Sequence, residues 1–160
     1  MNSVEVSGLT KRYGQKTTVS DVSFHIEQGE TFVLLGPNGA GKSTVVEILE
    51  GSRRRSSGEV SVLGVDPETG SREFRSRIGI VQQAPGDLGR LSIGDIITHF
   101  AGLYPNPRSI DEVLAAVGLE TNASDPVSKL SGGQRHRVDV ALGLIGNPEV
   151  LFLDEPTTGF

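Results

Sequence analysis

Cysteine and tryptophan are absent from this 160-residue chain, and methionine occurs once, at its start. Without cysteine, the chain has neither disulfides nor thiolate metal sites. No apolar run comes near the ~20 residues that a membrane-crossing helix needs. No charged-then-apolar segment follows Met1, so no signal peptide is read. Positive charge is in the minority: 15 Lys and Arg against 20 Asp and Glu leave a net charge of −5. That balance disfavours a general affinity for nucleic acid or anionic membrane. The one basic cluster, Arg53-Arg54-Arg55, lies in a Ser/Gly-rich stretch and reads as a solvated turn. There is no internal repeat and no low-complexity tract. The length suits one domain with a real core.

What the chain does have is a loop at Gly36-Pro37-Asn38-Gly39-Ala40-Gly41-Lys42-Ser43-Thr44. Before it runs Thr31-Phe32-Val33-Leu34-Leu35, apolar and bounded by Gly29 and Gly36, which reads as a buried strand. After it, Val45-Val46-Glu47-Ile48-Leu49 reads as helix until Gly51. Strand, glycine loop, Lys-Ser and helix are the setting of a phosphate-binding loop. Gly39 and Gly41 let the backbone curl with its N–H groups inward. The helix start adds free amides and the positive end of a dipole. Lys42 supplies a mobile charge for the outer phosphates, and the Ser43 hydroxyl is placed to ligate Mg²⁺. The residues point to a nucleoside-triphosphate site.

Around that loop, period-two patterns predict strands between Val4 and Glu27, with Val4 and Val6 alternating and Val19, Val22, Phe24 and Ile26 in line. Lys11-Arg12-Tyr13-Gly14 is expected to turn between the two runs. Gly58 to Gly64 is a further strand, and the three make an antiparallel patch. Arg72 to Arg77 reads as a short polar helix leading into the strand Ile78 to Val81. Ser92, with Asp95 three residues on, is placed to cap a helix whose stripe is Ile93, Ile96, Ile97 and Phe100. Ser109 with Glu112 suggests a second capping box, for a helix with Val113, Leu114 and Val117 inward and Gly118 as its stop. These two helices form an insert over roughly residues 84–130. Strands ending at Leu35, Val81 and Leu153 are assigned to one parallel sheet.

Three further groups carry chemistry. Val150 to Leu153 would deliver Asp154 to the edge where Ser43 lies, to hold Mg²⁺, with Glu155 next to it to orient or deprotonate water. Gln83 follows a strand of the same sheet, from which its amide can reach the metal or the attacking water. Leu130-Ser131-Gly132-Gly133-Gln134 is a second glycine-rich turn running into a helix, hence a second anion site. One nucleotide does not easily use both loops, so the second is read as serving a nucleotide held by another subunit. Read alone, the same five residues are equally a Ser/Gly helix cap.

With Gly36–Thr44, Gln83, Leu130–Gln134 and Val150–Glu155 in this order, the whole chain resembles an ATP-binding-cassette (ABC) ATPase. Val62 to Pro67 and Leu151 to Phe160 are similar to the ATP-binding subunits of ABC-2 type exporters, the daunorubicin-resistance group among them. The resemblance implies an α/β phosphate-loop core of three layers with an antiparallel β subdomain and a helical insert. It implies ATP and Mg²⁺ as ligands, Tyr13 stacking on adenine, and Gln83 coupling the nucleotide to a membrane partner. It further implies hydrolysis driving export of a drug, lipid or polysaccharide-like substrate. The partners would be a separate transmembrane permease and a second ATP-binding subunit, a homodimer, with no nucleic acid. The place would be the cytoplasmic face of the cell membrane. Such families continue with an Asp just past Phe160, more core strands and a phosphate-contacting histidine, for which His25, His99 and His136 do not stand in. The chain is accordingly expected to be a domain cut short and hydrolysis-deficient by itself. A ribosome- or DNA-directed ABC protein ranks second, for want of a zinc or coiled-coil insertion. A binding-only regulator ranks third, because Glu155 is present.

Overall fold

The computed structural model describes residues 2–81 and 90–153. Two compact units make up the chain, Met1–Phe74 and Arg75–Phe160.

In the first unit, β1 (Asn2–Tyr13) and β2 (Lys16–Glu27) pair antiparallel, and β3 (Ser57–Val62) pairs antiparallel with the other edge of β1. The expected antiparallel patch is therefore present. Its turn is tighter than expected: Lys11 to Tyr13 stay in β1, and Tyr13 stands opposite Lys16 across a two-residue loop. Gly14, with φ at +58°, suits such a loop. Val4, Val6 and Leu9 are all buried, which strict alternation forbids. A bulge between Val6 and Leu9 inserts the extra residue that returns Leu9 to the inner face. Helix α1 (Lys42–Leu49) packs on β2 and β3 and buries Val45, Ile48 and Leu49 at helical spacing. Each side chain buried this way contributes about 1.5–3 kcal/mol.

Thr31–Leu35 is a correction. It forms no strand, and Val33 and Leu35 are 65% and 88% exposed. An apolar run becomes a buried parallel strand only when neighbours hydrogen-bond to it, and no ladder reaches it among the described residues. Phe32 instead stacks on Phe24 of β2, ring centres 4.9 Å apart.

The arginine run is also more than a solvated turn. Arg55 gives both guanidinium ends to Asp66, at 2.8 and 2.5 Å, and reaches Glu68 at 3.3 Å. The Asp66 carboxyl is held below its ordinary value, chiefly by the Arg55 hydrogen bond.

In the second unit, β4 (Ile78–Val81) and β5 (Val150–Leu153) pair parallel, Ile78 opposite Val150 and Val81 opposite Leu153. Both belong to the set of strands expected in the parallel sheet. Glu149 donates its backbone N–H to the Arg77 carbonyl at 2.8 Å, and the two side chains form an ion pair at 2.5 Å. Helix α2 (Arg72–Ser76) precedes β4, and α3 (Ile93–Ala101), α4 (Ile110–Val117) and α5 (Gly132–Leu144) follow it. Helix α5 packs close on β4: a carbon added at Gly143 would stand 2.6 Å from a Val81 methyl. The other face of α5, with α3 and α4, buries Ile93, Ile96, Ile97, Val113, Leu114, Val138, Ala141 and Ile145 in one cluster. Ser92 caps α3 as expected, accepting from the Asp95 N–H at 3.1 Å. Ser109 does not cap α4 with its side chain. There Asp111 and Glu112 in the first turn answer the helix dipole instead. Among the described residues no helix is long and apolar enough to cross a membrane.

Candidate functional site

The loop before α1 closes on itself through Lys42. Its ammonium donates to the Gly36 carbonyl at 2.8 Å and the Pro37 carbonyl at 3.0 Å, and the Ala40 N–H to the Pro37 carbonyl at 3.2 Å. Gly41 is the N-cap of α1, with φ at +87°. A carbon added there would lie 2.7 Å from the Thr18 carbonyl of β2, so glycine is required twice, by dihedral and by space. The helix begins with the Val45 N–H bonded to the Gly41 carbonyl at 2.9 Å. No side chain caps α1, and its first turn holds no acidic residue. The first-turn amides of an α-helix have no acceptor within the helix itself. With the helix dipole, an aimed cation and a curled backbone, the arrangement fits a polyphosphate. Gly36, Pro37, Asn38, Gly39, Ala40, Gly41, Lys42, Ser43 and Thr44 are thus brought together as one cradle.

Tyr13 sits at the tip of the β1–β2 hairpin, in the same unit, and is 42% exposed. Arg53 donates to its hydroxyl at 2.6 Å, and the Lys11 ammonium lies 5.0 Å from the ring centre. Arg53 is in turn ion-paired to Glu47 of α1. That hydrogen bond, before any other cause, raises the guanidinium above its ordinary value. Glu47, Arg53 and Lys11 have no place in the motif reading. A run of three arginines was the only signal for one of them.

In the second unit, Ser131 is the N-cap of α5 in a complete capping box. Its hydroxyl accepts from the Gln134 N–H at 3.3 Å, while the Gln134 Oε1 accepts from the Ser131 N–H and hydroxyl at 3.0 and 3.1 Å. The helix-cap reading of this stretch therefore holds in full. Gly132 and Gly133 have nothing within 4 Å of an added carbon, so no packing among the described residues demands glycine there. Gln83, Asp154 and Glu155 lie outside the described residues. No group of three or more His, Asp or Glu placed to hold a metal ion occurs among the described residues.

Comparison with known proteins gives the class. A solved structure described as the ATP-binding subunit of an ABC transporter superposes with a TM-score of 0.82 at 25% identity, covering 98% of this chain and 67% of that one. CbiO1 of Clostridium perfringens, part of the ABC transporter complex cbiONQ, gives 0.82 at 30% identity over 99% and 67%. The fold is that of a phosphate-loop ATPase of the ATP-binding-cassette kind. The family model described as ABC transporter matches residues 19–158, and the chain belongs to that family, as its ATP-binding domain. Similar curated proteins include the Nod factor export ATP-binding protein I of Rhizobium meliloti, 38% identical over 98% of this chain and 48% of its own length. That of Rhizobium johnstonii is 39% identical over 98% and 52%. The chain thus spans about half the length of these relatives.

Proposed function

We propose that the protein to which this chain belongs hydrolyses ATP to drive export through a separate membrane subunit, within the ABC-2 type exporter group. The observation that carries the reading is the uncapped start of α1, closed into a cradle by Lys42 and lined by Gly41. Lys42 neutralises the outer phosphates, and the loop amides fix their orientation. Ser43, Gln83 and Asp154 form the set that would hold Mg²⁺, whose chemistry is to draw charge from the terminal phosphate oxygens. Glu155 orients and deprotonates the attacking water, and Tyr13 stacks on the adenine.

Ser131, Gly132, Gly133 and Gln134 serve a nucleotide held by a second copy of the subunit. Support for this comes from the two glycines. Both stand in the first turn of α5, and nothing among the described residues uses the space they leave. The two glycines leave room beside the capped helix start for a phosphate brought from outside. Residues 84–130 are read as the helical insert through which Gln83 signals to the permease, on the cytoplasmic side of the membrane. Export is supported by relatives that are named for export. The cargo class suggested by the group is a drug, lipid or polysaccharide-like molecule.

In the full-length protein, Glu155→Gln should leave Mg-ATP affinity near that of the parent, slow phosphate release by 100-fold or so, and trap an ATP-bound dimer. A loss confined to kcat marks a transition-state role. Phosphate-release kinetics and size-exclusion chromatography with ATP read both effects. Normal turnover together with a monomeric profile would sink the assignment.

A further inference from the structure

Tyr13 ends β1 beside a two-residue turn, where nothing in the strand pairing fixes the direction of its ring. Its position is set from elsewhere. The Arg53 Nη1 donates to the phenol oxygen at 2.6 Å, while the guanidinium carbon is 5.6 Å from the ring centre. Arg53 thus holds the phenol by its oxygen, and with the Lys11 ammonium, 5.0 Å from the ring centre, sets two cations against the ring. Lys11 is tied back to the same loop, its ammonium donating to the Arg54 carbonyl at 2.7 Å.

Arg53 is itself anchored twice to α1. Its Nε pairs with the Glu47 carboxylate, and its backbone N–H donates to the Glu47 carbonyl at 3.1 Å. Ser52 gives its N–H and its hydroxyl to the same carbonyl, both at 3.0 Å. Helix α1 is the element whose first residue is Lys42. A continuous set of bonded groups therefore runs from the phosphate cradle through α1, Glu47 and Arg53 to the Tyr13 ring. Stability alone gives little reason for it. An ion pair with both side chains a third exposed is screened by solvent and holds the fold only weakly.

We infer that Arg53 is the positioning residue for the nucleobase: it holds the Tyr13 ring at a fixed distance from the phosphate cradle, so that one rigid piece reads base and triphosphate together. The inference rests on Tyr13 being the base-stacking residue. Preorganisation of this kind raises affinity by removing the cost of fixing a free side chain on binding. Its effect must then be confined to ligands that have a base.

The test is calorimetric titration of the full-length protein with Mg-ATP and, separately, with inorganic tripolyphosphate, which keeps the phosphates and lacks the base. Arg53→Ala should weaken Mg-ATP about tenfold, the worth of one hydrogen bond, and leave tripolyphosphate within about twofold. Tyr13→Phe keeps the ring and the Glu47 ion pair but removes the acceptor. It should cost about as much as Arg53→Ala, and the double variant no more than either alone. Arg53→Lys, keeping charge without the forked reach, should fall between parent and Arg53→Ala. If Arg53→Ala weakens both ligands equally, or neither, while Tyr13→Ala weakens Mg-ATP alone, the inference is overturned and the Tyr13 reading stands. If Tyr13→Ala leaves Mg-ATP binding unchanged, the Tyr13 reading falls and takes the inference with it. Should Arg53→Ala fail to fold, Tyr13→Phe decides by the same two titrations.

Discussion

Gly41 is a residue with two independent reasons for its identity. Its φ of +87° excludes most side chains, and the Thr18 carbonyl stands where a first carbon would go. Alanine there must either push β2 away or unwind the start of α1. Backbone strain of this kind costs about 1–3 kcal/mol. Gly41→Ala should therefore lower the melting temperature by several degrees and weaken tripolyphosphate and ATP alike, by differential scanning calorimetry and the titrations above. A variant that melts like the parent and binds both normally would show that the loop tolerates another path. The contrast with Arg53 is useful, since damage to the cradle must register on the phosphates, whereas loosening the ring must register on the base.

At the scale of elements, the start of α5 combines a structural role with a proposed functional one, and substitution separates them. Ser131→Ala removes an N-cap acceptor and should cost about 1 kcal/mol. Ser131→Asp keeps an acceptor and adds favourable charge at a helix N-terminus, so stability should be retained. If a phosphate from a second subunit docks there, the added negative charge should nevertheless reduce ATP turnover by tenfold or more. Thermal unfolding alongside ATPase rates distinguishes the roles, and an active Ser131→Asp would confine Ser131 to capping.

The same scale shows what could be read from the chain beforehand. The β1–β2 hairpin, α1, the Ser92 cap and α5 announce themselves in local periodicity and cap residues, whose causes lie within one element. Thr31–Leu35 does not follow its pattern, because a strand is made by its neighbours as much as by its residues. Ser109 has the right spacing and makes no cap, since two carboxylates in the first turn already answer the dipole. The glycine loop and the helix after it were legible, whereas the strand expected before them is not formed. The clamp on Tyr13 was not legible, for its partners stand 40 residues apart in sequence, with no period to join them.

Each of the two units of the molecule carries a carboxylate held below its ordinary value by an arginine. Arg55 does this to Asp66 in the first unit, and Arg77 to Glu149 in the second. A carboxyl depressed in the folded state stabilises the fold above its unfolded value and loses that contribution as pH falls through its folded one. Both pairs are partly exposed, so each contributes only about 0–1 kcal/mol. Arg55→Ala and Arg77→Ala should each lower the melting temperature by no more than about 2–4 °C at pH 7. The parent and both variants should converge as pH falls below the depressed folded-state values, where the carboxylates are protonated in both states. A gap that persists in acid would mean that the arginines act through packing instead.

The parallel pair β4–β5 is joined across 72 residues, the interval between Arg77 and Glu149. The β1–β2 hairpin, by contrast, closes over two. Closing a long loop is entropically costly and comes late, whereas a hairpin forms in microseconds. During synthesis at ≈ 5–20 residues per second, β4 must then wait seconds for its partner while the hairpin is already made. Over that interval Ile78 and Val81, both buried at the end, are apolar side chains on an unpaired strand. The nascent chain is accordingly most exposed to aggregation between the completion of β4 and the arrival of β5. Helix α5, made just before β5 and packed on β4, is the element placed to cover Val81 first.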